Sequence, residues 1–318
     1  MLHRAAGLIV SADRPLPGFG APVRPQPAQL RIHLESWPSW HEATAAMVHA
    51  SETRDAAGQP VVTVSRSPEG YHLNYADGTG AWVAAAGTEV WCVWPDSASL
   101  ADTCTYLSGP ILGLVLRLRG ALALHASAVQ VGAGAIAFAG PHDAGKSTIA
   151  AALGSAGCRV VTDDVLHLRH DGPGWVAEPF APLLKLWPDG ARLALGDRPE
   201  LPVIAAGWDK RALVAGEGIV AADRPVPLTA IAFLLPRGRA WAIEPMAAAP
   251  ALVRLAANSS ATHLLDTAGR ATEFIALSKL VRSVPCAAVT PPEDRVEYPA
   301  FTAGVLDWAQ SLDGKAAG

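Results

Sequence analysis

The segment Gly140-Pro-His-Asp-Ala-Gly-Lys-Ser147 sets two glycines, a lysine and a hydroxyl at the spacing G-x-x-x-x-G-K-[ST]. Glycines let backbone N–H groups turn toward an anion, and a helix starting there adds its dipole. The lysine neutralises terminal phosphates, and the serine hydroxyl ligates a divalent cation. Gly140, Pro141, His142, Asp143, Ala144, Gly145, Lys146, Ser147 and Thr148 are therefore the expected contacts of a nucleoside triphosphate. Lysine is scarce, five against twenty arginines, so Lys146 is not one of many.

A second acidic element follows. Asp163 and Asp164 lie 17 and 18 residues beyond Lys146, directly after Cys158-Arg-Val-Val-Thr162, which reads as a strand. Adjacent carboxylates at a strand end face different directions, so one can serve a metal ion while the other accepts a proton from an attacking hydroxyl. His125 sits in an apolar run just upstream and could face the same place. Lys210-Arg211 could clamp phosphates. His142 occupies a variable position of the loop and needs no role of its own.

Such groups must be held by elements, and the flanks supply them. Ala135–Ala139 reads as a buried strand entering the loop, and Thr148–Leu153 as a helix leaving it, stopped by Gly157. Ala121–Val131 reads as one strand carrying His125, with a Gly132–Gly134 turn. Pro227–Leu235 is a fully apolar run suited to a central strand, and 249–257 and 272–284 are amphipathic and helical. Strand–helix alternation of this kind makes an α/β core. Ligands of open α/β sheets bind at the carboxyl ends of strands, which directs the acidic pair toward the glycine loop. Upstream, five prolines between Arg14 and Pro27 exclude a helix, and Pro60–Trp94 reads as a meander of short strands. Leu107–Arg119 has helical periodicity. The expected division is a smaller β-rich N-terminal domain, 1–106, and an α/β domain, 107–318.

Composition narrows the class. Half of the 318 residues are hydrophobic, 17% are charged, and the formal charge of −4 gives no electrostatic case for nucleic acid. Cys92, Cys104, Cys158 and Cys286 are scattered, which favours thiols over disulfides or a zinc site. Gly109–Val131, the best membrane-span candidate, is interrupted by Arg117, Arg119 and His125. A cytoplasmic protein with no membrane or nucleic-acid partner is expected; a homo-oligomer is compatible with the sequence.

Taken together, Leu124-His125-Ala126, the loop from Gly140 to Ser147 and Val161-Thr-Asp-Asp164 resemble the C-terminal kinase domain of bacterial HPr kinase/phosphorylase. The resemblance covers about residues 107 to 235. It implies a P-loop α/β kinase domain of the HPr kinase and phosphoenolpyruvate carboxykinase type, and ATP- and Mg²⁺-dependent phosphorylation of a serine on a peptide or small protein. By it, Asp163 is the general base, Ser147 and Asp164 are the metal-side residues, Lys146 is the phosphate clamp, and His125 stands beside the reacting phosphoryl group. The family's Glu-Val-Arg-Gly-Leu-Gly signature is replaced by Glu178-Pro-Phe-Ala-Pro-Leu-Leu-Lys-Leu-Trp-Pro188. Leu184-Lys-Leu-Trp-Pro-Asp189, with Lys210-Arg211 downstream, is similar to the HPr-kinase-like proteins of lasso peptide gene clusters. Two other classes stay open on the residues alone: a nucleotide-dependent binding module without turnover, and a kinase of small hydroxylated molecules.

Overall fold

The computed structural model describes residues 1–172, 174–180, 183–196, 201–204, 209–216 and 218–313. Ala181 and Pro182, within the stretch 178–188 singled out above, lie outside the described residues. The architecture is mixed α/β with several sheets.

Eight strands form the first sheet: β1 (Leu2–Ala5), β2 (Leu8–Ala12), β3 (Leu30–Leu34), β4 (Ala46–Ala50), β5 (Val62–Arg66), β6 (Gly70–Tyr75), β7 (Gly80–Ala84) and β8 (Glu89–Val93). Their order is β1-β2-β3-β8-β7-β6-β5-β4. From β5 to β8 neighbours in sequence pair antiparallel, as alternating apolar residues and the Asp77-Gly78 turn dictate. One face is covered by α1 (Leu100–Tyr106) and α2 (Leu112–Leu118), joined by a wide turn, Leu107–Ile111, that contains Pro110. Ser99 caps α1 through a reciprocal pairing with Asp102. Helix therefore begins before Leu107, and the boundary expected at 106/107 falls inside this helical segment. Leu107, Ile111, Leu112 and Val115 share one core with Val64, Leu73 and Val83 of the first sheet.

The rest contains β9 (Leu122–Leu124), β10 (Ala126–Val131), β11 (Gly134–Ala139), α3 (Lys146–Ser155), β12 (Arg159–Thr162), β13 (Leu166–Asp171), β14 (Gly174–Glu178), β15 (Leu183–Leu186), α4 (Pro188–Leu195), β16 (Arg211–Val214), β17 (Val220–Ala221), β18 (Val226–Leu234), β19 (Ala242–Pro245), α5 (Ala248–Ala257), α6 (Thr267–Ser283), β20 (Cys286–Thr290) and α7 (Tyr298–Asp313). Most strands join a second sheet in the order β17-β12-β10-β11-β18-β14-β13-β9, with β20 and β19 continuing beside β18; β15 and β16 pair separately. β11, β18 and β20 run parallel. β11 is buried along its whole length because helices cover both faces. Ala135, Ala137 and Ala139 face the core with Leu255, Leu277 and Leu280 of α5 and α6, while Ile136 and Phe138 face Ile149 of α3 and Phe301 of α7.

The single strand expected over Ala121–Val131 is broken at His125. There the backbone N–H donates to the Asn258 carbonyl at 2.7 Å instead of to a ladder. Between α2 and α6, Arg117 donates to Glu273 at 2.6 Å, both side chains being buried. Ser259 and Thr262 donate to the same carboxylate oxygen. Among the described residues no helix is long and apolar enough to cross a membrane, and all four cysteines are free thiols.

Candidate active site

Strand order explains why the site assembles. β10 lies between β11 and β12 and runs antiparallel to both, so the carboxyl ends of β11 and β12 flank the start of β10. The glycine loop leaves β11, Asp163-Asp164 leave β12, and His125-Ala126-Ser127 open β10. Three distant stretches of sequence therefore meet at one edge of the sheet.

The loop runs from Gly140 into α3 through Gly145, whose φ of 94° is a left-handed conformation that glycine adopts without strain. Lys146 folds back over it, and its buried Nζ donates to the Gly140 carbonyl at 2.9 Å and the Pro141 carbonyl at 2.8 Å. Burial lowers the Lys146 pKa, with the charges of Asp163 and Asp164 acting the other way. Asn258, at the end of α5, accepts from the Gly140 N–H at 3.2 Å and so ties the loop to the break at His125. Trp187 donates to the Asp143 carboxylate at 2.8 Å, and Lys210 Nζ lies 5.0 Å from the Trp187 ring centroid. Helix α4 packs closely on α3: a Cβ on Gly190 would stand 2.7 Å from Thr148 Oγ1.

The two aspartates diverge. Asp163 is buried; its Oδ1 accepts from Ser147 Oγ at 2.9 Å and Ser127 Oγ at 2.5 Å, and its Oδ2 from the Lys185 backbone N–H at 3.1 Å. Burial raises its pKa, the neighbouring Asp164 charge adds to that, and the three donors oppose it. Asp164 has a positive φ of 65°, uncommon for a residue with a side chain. Its carboxylate pairs with Lys185 Nζ at 2.7 Å. Burial pushes its pKa up, but Lys185, His125 and Lys210 together outweigh that and hold the carboxyl below the ordinary range.

The Asp164 carbonyl lies 3.1 Å from His125 Nδ1. A carbonyl only accepts, so Nδ1 carries the hydrogen and Nε2 is left as the basic nitrogen. Burial lowers the His125 pKa, and the charge of Lys146 lowers it further.

Lys185 in turn donates to the Thr105 carbonyl at 3.2 Å. In the wide turn Leu107–Ile111, with its five-residue hydrogen-bond step, Pro110 is where the donor to that carbonyl belongs. Proline has no N–H, and the carbonyl accepts from side chains instead, Lys185 Nζ and, at 3.4 Å, Ser108 Oγ.

These groups enclose a cavity of about 420 Å³ whose walls include Lys146, Ser147, Asp164, His125 and Lys210. A second cavity, about 520 Å³, adjoins it and shares His125, Asp164, Lys185 and Lys210. Among the described residues there is no cluster of three or more His, Cys, Asp or Glu that could hold a metal alone. Ser147 and Asp163 offer hard oxygen donors at one point, which suits Mg²⁺ completed by phosphate oxygens and water.

The positions expected from sequence thus lie together: His125, the loop, Asp163, Asp164 and Lys210. Arg211 begins β16, opposite Leu186 of β15. Three residues were not foreseen. Lys185 alternates with the buried Leu184 and Leu186, the ordinary two-residue period of a strand, so the sequence alone does not mark it. Ser127 follows His125 at the two-residue period of a strand. Nothing local in the sequence marks Asn258.

No protein-family model and no curated protein matches the chain. Among solved structures, the HPr(Ser) kinase/phosphatase from Coxiella burnetii is similar over 62% of this chain and 99% of that one, at 13% identity and a TM-score of 0.29. A likeness of that size fixes neither the fold nor the activity.

Proposed function

We propose that the chain is a phosphotransferase that binds Mg²⁺-ATP on the glycine loop and transfers the γ-phosphoryl group to a hydroxyl, with a serine on a peptide or small protein as the acceptor. The carrying observation is that the Ser147 hydroxyl sits 2.9 Å from Asp163, with Lys146 and Asp164 on the wall of one cavity. The loop amides and the N-terminus of α3 would cradle the phosphates. Lys146 would exchange its two loop carbonyls for phosphate oxygens. Ser147 and Asp163 would hold Mg²⁺, which would supply charge neutralisation.

Geometry favours exchanging the roles expected for the aspartates. Asp163 is engaged by three donors and lies behind the serine, whereas Asp164 borders both cavities. Asp164 is therefore the proton acceptor: the acceptor oxygen bonds to phosphorus, the bond from phosphorus to the β-bridging oxygen breaks, the hydroxyl proton passes to Asp164, and ADP leaves. A carboxylate of low pKa suffices, because in a loose transition state the base chiefly orients the hydroxyl. His125 Nε2 stands at the same wall. The Asp pair and the helical segment at 100–118 make the first sheet and the α/β unit one working body in this reading.

The test is transfer from labelled Mg²⁺-ATP to serine peptides by the wild type and Asp164→Asn. Loss of transfer with nucleotide binding kept supports the reading; equal transfer by both proteins would remove Asp164 as proton acceptor, and nucleotide binding with no transfer by either would leave only a nucleotide-binding module.

A further inference from the structure

The adjoining cavity of about 520 Å³ has walls unlike those of the phosphate side. Val62 and Val64 of β5, Leu73 and Tyr75 of β6, Leu114 of α2 and Leu264 line it, so its body is apolar and is contributed largely by the first sheet and its helices. Its polar end is the wall it shares with the phosphate cavity, where Asp164, Lys185 and His125 stand. Tyr75 adds its ring to this wall, while its hydroxyl is buried with no hydrogen-bond partner among the described residues. At the mouth, His49 belongs to β4, the end strand of the first sheet, which among the described residues pairs only with β5 and so has one backbone edge open. His49 packs against His263, with ring centroids 3.9 Å apart and the planes tilted by 37°.

Resting on the phosphotransferase reading, we propose that this cavity is the acceptor subsite, and that it takes a flexible peptide segment whose serine is adjacent to an apolar residue. The apolar side chain fills the cavity and the serine hydroxyl meets Asp164 at the shared wall. The peptide backbone pairs along the open edge of β4, the mode by which an extended segment is held at a sheet edge. A serine on the rigid surface of a folded protein could not carry its neighbour into a recess of this size. A charged neighbour would lose its hydration against valine and leucine without a partner to compensate.

The experiment uses the full chain, Mg²⁺, labelled ATP and short blocked peptides in which serine is flanked by Leu, Trp, Asp or Lys. Nucleotide binding is measured in parallel. The expected result is a kcat/KM on the order of tenfold to a hundredfold higher for Leu or Trp than for Asp or Lys. Val62→Lys, on a half-buried position of the wall, should reduce that preference at least about tenfold. Transfer indifferent to the neighbouring residue, transfer only to small apolar alcohols, or nucleotide binding with no peptide modified would overturn the acceptor inference and leave the nucleotide site standing. Failure to bind nucleotide at all would overturn the phosphotransferase reading and this inference with it.

Discussion

At the residue scale, the backbone of Asp164 is decisive. With φ at 65° the chain reverses its facing between two consecutive carboxylates, sending Asp163 under the loop serine and Asp164 toward Lys185. The two should fail differently. Asp164→Asn is expected to lower the transfer rate by about 10²- to 10⁴-fold with nucleotide affinity nearly intact, by single-turnover assay beside a binding titration. Asp163→Asn is expected to raise the Mg²⁺ concentration needed for half-maximal rate, read from a Mg²⁺ titration. Lys146→Ala should weaken ATP binding by about tenfold to a hundredfold, the worth of a charge-assisted hydrogen bond, measured by calorimetry. The sequence made the residue types and their spacing legible, because the loop ends the apolar run Ala135–Ala139 and the acid pair ends the short β-branched strand Arg159–Thr162. It could not apportion the roles of Asp163 and Asp164, since a positive φ at an aspartate leaves no mark in a one-dimensional pattern.

At the element scale, β10 is the organiser, and its break at His125 is where periodicity misled. Ala121–Val131 contains no glycine or proline to mark a break, and it is the distant carbonyl of Asn258 that draws the His125 N–H out of the ladder. The long apolar runs that became β11 and β18 were readable because both faces are covered and hydrophobicity there is continuous. Helix α1 was missed for the opposite reason: its Leu100–Tyr106 stretch is half polar, and its start is set by the Ser99–Asp102 cap. Two substitutions test how elements are coupled. Glu273→Ala should destabilise by about 3–5 kcal/mol because it leaves Arg117 charged and buried, whereas replacing both residues with apolar ones should cost far less; urea midpoints distinguish the two. Gly190→Ala presses a methyl against Thr148 Oγ1 at the first turn of α3. It should weaken nucleotide binding more than it lowers the melting temperature.

At the scale of the whole molecule, acid sensitivity follows from the histidines. His3, His72, His125, His167 and His263 all have pKa values lowered by burial. As pH falls through the ordinary histidine value of about 6.5, the unfolded chain takes up protons that the folded chain refuses, so stability declines with acidification. Asp163, whose pKa is raised, works in the opposite sense but is one group against five. The melting temperature should therefore fall steadily between pH 7 and pH 5, and a flat profile would contradict these burials. The seam between the sheets has its own consequence. Ala123, Val165, Phe180 and Leu264 lie beyond the helical segment in sequence yet pack in the core of the first sheet. A fragment starting near Gly120 would present those side chains to water, and it would take the Thr105 carbonyl from the Lys185 ammonium, leaving Asp164 to hold it. The two halves are thus expected to resist separation by truncation: the shorter piece should precipitate or stay inert on expression, however complete its glycine loop.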